Sequence, residues 1–226
     1  MNFGVITAGT SVIISMYKLV KEKSGSWLYV GKRIGEDMDI RIEHLCKKYG
    51  NEAVLEDFSY TFKEGKRTCI MGKSGAGKTT LLSILMGLEK ADCGEIYGLD
   101  GKKFSAVFQE NRLLEQLDAI DNVRIATGAA EEEIAELLKE LELPLNERKA
   151  VKNYSGGMKR RVAIARALLA DYDVLFLDEP LKGLDEATRE IVAAVIKQRT
   201  IGKTVLMITH EPWECDFFGA FYCEIR

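Results

Sequence analysis

The sequence predicts an α/β fold, in which a mainly parallel sheet is covered on both faces by helices. Two segments, residues 174–177 and 204–209, are almost entirely apolar, as strands buried on both faces require. A helical pattern over residues 188–199 separates them. A glycine-rich loop also follows a short apolar strand and precedes a helix. Strands that alternate with helices in this way indicate a parallel sheet.

The N-terminal residues form a separate segment. Residues 1–17 carry no charged side chain, but they are fewer and more polar than the about 20 mostly apolar residues of a spanning helix. They also lack the basic start of a signal peptide. Three interpretations stay open: a surface-packed or loose extension, a weakly membrane-associated segment, and a start codon placed upstream. Residues 24–38 contain three glycines and predict a linker, so we expect an extension over 1–38 and one domain over 39–226.

Periodicity locates the elements of this domain. Strands are predicted over residues 40–45, 54–62, 67–71 and 94–108, and helices over residues 79–88, 131–143 and about 155–169. The clearest amphipathic helix is 131–143, because Ile134, Leu137 and Leu141 repeat at helical spacing. Three glutamates in its first turn are expected to form a solvated face rather than a metal site.

Composition excludes several classes of protein. The 226 residues are 46% hydrophobic and 30% charged, which excludes wholesale disorder and a polytopic membrane protein. Lys and Arg number 32 against 35 Asp and Glu, a formal net charge of −3. This balance argues against binding of nucleic acid through bulk positive charge. The five cysteines form no CxxC pair, so we expect reduced cysteines that pack as small apolar residues.

The glycine-rich loop matches the phosphate-binding pattern GxxxxGK[ST] at each fixed position. Its residues are Gly72, Lys73, Ser74, Gly75, Ala76, Gly77, Lys78 and Thr79. Glycines let backbone N–H groups wrap phosphate oxygens, and the helix that follows directs its N-terminus at the same anion. Lys78 would supply positive charge to the β- and γ-phosphates, and the Thr79 hydroxyl would ligate magnesium.

The apolar strand 174–177 ends in two carboxylates, Asp178 and Glu179. Ligands bind at the carboxyl ends of strands in open α/β sheets, so the pair is expected beside the phosphate loop. Asp178 would hold magnesium, mostly through water, and Glu179 would polarise an attacking water.

Ser155, Gly156 and Gly157 precede a basic helix and could form a second anion site, from a hydroxyl, glycine amides and a helix N-terminus. Taken alone, the same residues are more often only a helix cap. The run at residues 159–161, Lys-Arg-Arg, is expected to form a solvated or partner-facing surface of that helix.

Taken in order, these motifs resemble the ATP-binding-cassette (ABC) ATPase family over about residues 40–226. Besides the phosphate loop, Ser155 and the Asp178–Glu179 pair, the resemblance rests on Tyr49, Gln109, the sequence Gly-Leu-Asp at 183–185, and His210. It implies a P-loop NTPase fold with an antiparallel β subdomain and a small helical subdomain at about 110–165. Tyr154 and Met158 depart from the usual Leu-Ser-Gly-Gly-Gln, so we expect ATP binding to survive with altered turnover.

The resemblance also implies roles for individual residues, with ATP and Mg²⁺ as cofactors. Catalysis would fall to Glu179, His210, Gln109 and Lys78, and magnesium would be held by Thr79, Gln109 and Asp178. Nucleotide contacts would come from Tyr49, Gly72, Lys73, Ser74, Gly75, Ala76, Gly77, Lys78, Thr79, Thr80, Ser155, Gly156, Gly157 and Asp185. Two such domains would stack head to tail, each ATP lying between one phosphate loop and the partner's signature serine.

Residues 108–123 are similar to the segment in nitrate/sulfonate/taurine-type importer ATPases that receives the permease. The resemblance therefore implies a transport ATPase on the cytoplasmic face of the membrane. Its partners would be permease subunits, a second nucleotide-binding domain and, through the permease, an extracytoplasmic solute-binding protein, with no nucleic acid. Two alternatives stay open: a soluble ABC ATPase acting on nucleic acid or the ribosome, and a regulatory subunit that binds nucleotide without hydrolysing it.

Overall fold

The chain divides into two compact units, Met1–Met38 and Asp39–Arg226. The computed structural model describes residues 39–144 and 148–225 in full and, before them, only the backbone of three strands. These strands, β1 (Gly4–Thr7), β2 (Val12–Lys21) and β3 (Trp27–Arg33), form an antiparallel sheet with β2 in the centre. The predicted linker at 24–38 is therefore wrong where β3 lies, and its remaining residues fall outside the described part of the chain. No helix among the described residues is long and apolar enough to cross a membrane.

The second unit contains eight strands and six α-helices among its described residues. The strands are β4 (Ile40–Tyr49), β5 (Glu52–Phe62), β6 (Arg67–Met71), β7 (Cys93–Tyr97), β8 (Phe104–Val107), β9 (Val174–Asp178), β10 (Thr204–Ile208) and β11 (Phe221–Glu224). The helices are α1 (Lys78–Leu85), α2 (Ala119–Thr127), α3 (Glu131–Glu140), α4 (Gly156–Leu169), α5 (Glu186–Arg199) and α6 (Pro212–Phe218).

A five-stranded parallel sheet forms the centre of this unit, in the order β11-β6-β10-β9-β8. Strand β9 is buried along its whole length, and its side chains alternate between two hydrophobic cores. Leu175 and Leu177 join the core that contains α2 to α5, whereas Val174 and Phe176 join the core that contains α1. Burial on both faces explains the uninterrupted apolar sequence of the strand.

A smaller antiparallel sheet, in the order β5-β4-β7, completes the second core. Ile40, Ile42 and Phe62 pack there with Leu81 and Leu85 of α1. On the other face, α2, α3 and α4 form a small helical group around Ile134, Leu137 and Leu138. The predicted α/β class, with a mainly parallel sheet flanked by helices and an antiparallel sheet beside it, is confirmed.

Helix α3 is shorter than its apolar pattern predicts. The stripe continues to Leu141 and Leu143, which are both buried, but the helix ends at Glu140. Glu142 adopts φ +55°, a left-handed conformation that stops the helix, and the Leu143 N–H donates to the Leu138 carbonyl across the turn. An apolar period therefore marks which residues are buried without fixing where the helix stops.

The cysteine prediction is wrong for two of the five. Cys46 of β4 and Cys93 of β7 occupy paired positions on neighbouring strands, with Cα atoms 5.0 Å apart, and form a disulfide. Cys69, Cys215 and Cys223 are free and buried, as expected. The pairing was hidden because 47 positions of sequence separate the two residues and only the strand register brings them together.

Candidate functional site

Three segments that carry polar residues meet at one edge of the parallel sheet. Strands β6, β9 and β10 are in register, with Ile208 opposite both Ile70 and Asp178, so they end side by side. Beyond their ends lies a cavity of about 310 Å³. It is lined by Val54, Ser74, Gly75, Gly77, Lys78, Thr79, Thr80, Gln109, Glu179, Ile208 and His210.

The glycine-rich loop between β6 and α1 is held by contacts that only glycine permits. Gly77 has φ +86°, and a Cβ there would lie 2.6 Å from the Val54 carbonyl oxygen. Lys78 is 6% exposed and donates to the carbonyls of Gly72 (2.8 Å) and Lys73 (2.7 Å). Burial lowers the pKa of Lys78, while the nearby Glu179 and Asp178 act to raise it. The loop thus holds a buried cation at the N-terminus of α1, an arrangement that suits the binding of a phosphate group.

Asp178 lies at the end of β9, opposite the first turn of α1. Its Oδ2 accepts a hydrogen bond of 3.0 Å from the Thr79 hydroxyl. Burial raises the pKa of Asp178, and the Thr79 hydrogen bond acts in the opposite direction. A hydroxyl and one carboxylate are the donor set that Mg²⁺ takes together with nucleotide phosphates. Within residues 39–144 and 148–225, no three His, Cys, Asp or Glu side chains group to hold a metal ion by themselves.

Glu179 is held in an uncommon backbone conformation, with φ +47°. Its N–H donates to the Ile208 carbonyl (3.0 Å), which ties it to the end of β10. Its Oε1 lies 3.1 Å from His210 Nε2, and its Oε2 forms an ion pair with Lys182. Glu179 and His210, which follow different strands and were both predicted to be catalytic, are therefore side by side. The ion pair between Glu179 and Lys182 is a contact that the motifs did not indicate.

The remaining predicted residues divide into two groups. Thr80 and Gln109 line the cavity with the loop, whereas Ala76 packs against the core beneath it. Ser155 caps α4 by accepting from the Met158 N–H at 3.2 Å, and Asp185 caps α5 in the same way. Tyr49, Ser155, Gly156, Gly157 and Asp185 are not among the residues that line the cavity. Within one copy of the chain, the structure therefore brings together the loop, Gln109, Asp178, Glu179 and His210. It does not bring Tyr49, the 155–157 segment or Asp185 to this cavity.

The prediction that residues 159–161 face solvent or a partner is wrong for Arg160. Arg160 is only 4% exposed, and its guanidinium donates to backbone carbonyls at the end of β9 and in the segment after β8. Arg161 is half-buried and donates to the carbonyls of Leu141 and Glu142. Lys159 is half-buried and pairs with Glu115. Backbone carbonyls accept the hydrogen bonds of the buried Arg160 guanidinium. Because every residue has a backbone carbonyl, the sequence does not reveal these partners.

A second cavity, of about 210 Å³, also has Glu179 and His210 in its lining. Glu214 of α6 and Arg189 of α5 line it, and Glu214 Oε2 and Arg189 Nε have no hydrogen-bond partner among the described residues. Burial raises the pKa of Glu214, and Glu179 adds to that effect. Glu179 and His210 therefore line both cavities.

The chain belongs to the ABC transporter family, whose family model matches residues 55–182. It is 33% identical to a spermidine/putrescine import ATP-binding protein PotA of Mycoplasma capricolum subsp. capricolum, over 79% of this chain and 56% of that protein. It is 38% identical to an aliphatic sulfonates import ATP-binding protein SsuB 1 of Rhizobium johnstonii, over 76% of this chain and 68% of that protein. The chain thus spans little more than half the length of the PotA relative.

Among solved structures, the chain is similar to the dimeric ATP-binding cassette MJ0796 in a post-hydrolysis state bound to ADP and Pi. The TM-score is 0.72 at 29% identity, and the match covers 83% of this chain and 96% of that one. The family and the P-loop fold that the motifs predicted are confirmed.

The raised pKa of Asp178 predicts a pH-dependent stability. A carboxyl whose pKa is higher in the folded protein stabilises the fold below its usual pKa, and this stabilisation is lost as the pH rises through the folded-state pKa. We expect Asp178→Asn to increase the free energy of unfolding of the nucleotide-free chain at pH 7. In urea titrations the gain should shrink as the pH falls through the raised folded-state pKa toward the usual aspartate value of about 3.9. Asp100→Asn, at an exposed turn, is the matched control, and a gain of equal size in both variants would contradict the assignment.

Proposed function

We propose that the chain is the ATP-binding and ATP-hydrolysing subunit that powers a membrane transporter, an importer of a small solute. The observation that carries the proposal is the Glu179–His210 pair, which lines one cavity together with Lys78 and Thr79. The Thr79 hydroxyl in turn donates to Asp178. A phosphate anchor, a magnesium donor set and a candidate base for water are thereby combined. This combination supports phosphoryl transfer to water, which depends on positioning and charge stabilisation.

Each residue of the cavity has a task that its contacts support. The loop amides and Lys78 would bind the β- and γ-phosphates, and Lys78 would exchange its carbonyl contacts for phosphate oxygens. Mg²⁺, held through Thr79, Asp178 and Gln109, would offset phosphate charge when bound. Glu179 would orient a water and accept its proton, and His210 would hold the carboxylate and meet the γ-phosphate.

A second copy of the nucleotide-binding domain completes the proposal. Ser155, Gly156, Gly157 and Asp185 lie outside the cavity of their own chain, which supports a role at the nucleotide of a partner. The dimeric state of the similar cassette supports the same arrangement. Residues 39–226 would be this domain, with a helical subdomain at about 110–165, and Tyr49 would stack on adenine. Residues 1–38 would be an extension to it.

The relatives support an importer as the larger assembly. Their names specify sulfonates in one case and polyamines in another, so the proposal stops at a small solute. Permease subunits would recruit the chain to the inner face of the membrane, and a solute-binding protein would act through the permease. The small negative charge gives no support to nucleic acid as a partner.

Replacing the proposed base tests the enzymatic part. Glu179→Gln keeps the size of the side chain but cannot accept a proton, so we expect ATP hydrolysis to fall about 10²–10⁴-fold. The variant should still bind ATP and should accumulate as an ATP-dependent dimer, measured by light scattering. Glu190→Gln, an exposed residue of α5, is the control and should retain full activity. Hydrolysis at the wild-type rate by Glu179→Gln would remove Glu179 from this role.

Co-purification tests the transport part. Tagged Glu179→Gln with ATP and magnesium, captured from gently solubilised membranes of its own host, is expected to bring a stoichiometric protein with several membrane spans. Lys78→Ala, which should not bind ATP, shows which partners depend on nucleotide. An ATP-dependent homodimer without any membrane protein would contradict the transporter and favour a soluble ABC ATPase, for which nucleic-acid-stimulated turnover would be measured next.

A further inference from the structure

Arg160 occupies a central position between two segments of the cavity. It lies in the first turns of α4, is 4% exposed, and its contacts all lie outside its own helix. Burial lowers its pKa, and the nearby Asp178 and Glu179 act in the opposite direction. A guanidinium stays charged in proteins, so its five N–H groups need acceptors.

One side of the guanidinium holds the chain just after β9. Its Nη2 donates to the carbonyls of Asp178 (2.5 Å) and Glu179 (2.6 Å), and its Nε donates to the carbonyl of Pro180 (3.0 Å). Three consecutive carbonyls are thus directed at one side chain. Glu179 has φ +47°, which is costly for a residue with a side chain, so contacts on both its N–H and its carbonyl maintain it.

The other side holds the chain just after β8. Nη1 donates to the carbonyls of Phe108 and Gln109, the second at 3.4 Å, and to Asn111 Oδ1 at 3.3 Å. The backbone of Gln109 therefore shares a donor group with the backbone of Glu179. Few other side chains could do this, because lysine offers three N–H groups from one point and glutamine two.

We propose that Arg160 is a positioning residue for ATP hydrolysis, which fixes the backbone that carries Glu179 against the backbone that carries Gln109. A displacement of the 108–111 segment would move the guanidinium and, through it, the candidate base. Arg160 is not among the residues that line the cavity, so it would position these residues without touching the nucleotide. The inference rests on the proposed ATP hydrolysis and adds a residue that none of the motifs requires.

The test compares substitutions of two arginines that differ in their partners. Arg160→Gln keeps polarity and removes three of the five donors, and Arg160→Lys keeps the charge. Arg199→Gln is the matched control, since Arg199 is also a partly buried arginine and its side-chain partner, Glu140, does not line the cavity. For the full-length chain, kcat and KM for ATP would be measured together with the stoichiometry of MgATP binding and the thermal midpoint.

If Arg160 positions Glu179, its replacement should lower kcat and leave MgATP binding intact. We expect kcat per nucleotide-binding site to fall about 10- to 100-fold in Arg160→Gln, with KM within about twofold. Arg160→Lys should recover part of the loss and Arg199→Gln should match the wild type. Counting only sites that bind MgATP removes the effect of misfolded protein.

Other outcomes would overturn the inference. An unchanged kcat per binding site in Arg160→Gln, or equal losses in the Arg160→Gln and Arg199→Gln variants, would leave Arg160 with a purely structural role. So would the loss of MgATP binding in step with kcat in both Arg160 variants. A wild-type chain that binds ATP without hydrolysing it would overturn the proposed function and this inference together, and that result is visible before any variant is compared.

Discussion

The parallel register of β6, β9 and β10 is the constraint on which the site depends. Ile208 is level with Ile70 and Asp178, so the phosphate loop, the two carboxylates and His210 all emerge at one edge. Burial of both faces of these strands fixes the register, because a slip of one residue would exchange the side chains of the two cores. The position of the polar residues thus follows from apolar packing beneath them. The site needs only short loops to complete it.

Burial at this edge disfavours the charged forms of two side chains of the site, Lys78 and Asp178. Burial moves the pKa values of Lys78 and Asp178 toward their neutral forms, and the contacts around them act against that change. Lys78 depends on two carbonyls of its own loop, and Asp178 on the Thr79 hydroxyl. Groups that are charged at a desolvation cost are typical of functional sites. A phosphate would add a counter-charge for Lys78, and a divalent cation would add one for Asp178.

The sequence predicted the parts of the fold and site whose cause is local. Residues 174–177 and 204–209 are apolar because both faces of each strand are buried, and the spacing of the glycine-rich loop reflects its backbone. Arg160 and the Cys46–Cys93 pair were missed for the opposite reason. The carbonyl partners of Arg160 lie 18 to 52 positions away in the sequence. Because every residue type has a backbone carbonyl, the sequence gives no sign of these contacts, and the basic run was predicted to face solvent or a partner. The cysteines meet only through strand register.

Hydrogen–deuterium exchange would test most directly whether these segments form one nucleotide site. Peptides covering residues 72–80, 107–110, 178–180 and 208–210 would be followed in the full chain, with Mg²⁺ alone and with Mg²⁺ plus a non-hydrolysable ATP analogue. The account predicts slower exchange in all four segments with the analogue, since they line one cavity. Protection confined to other parts of the chain, or none at saturating analogue, would contradict it.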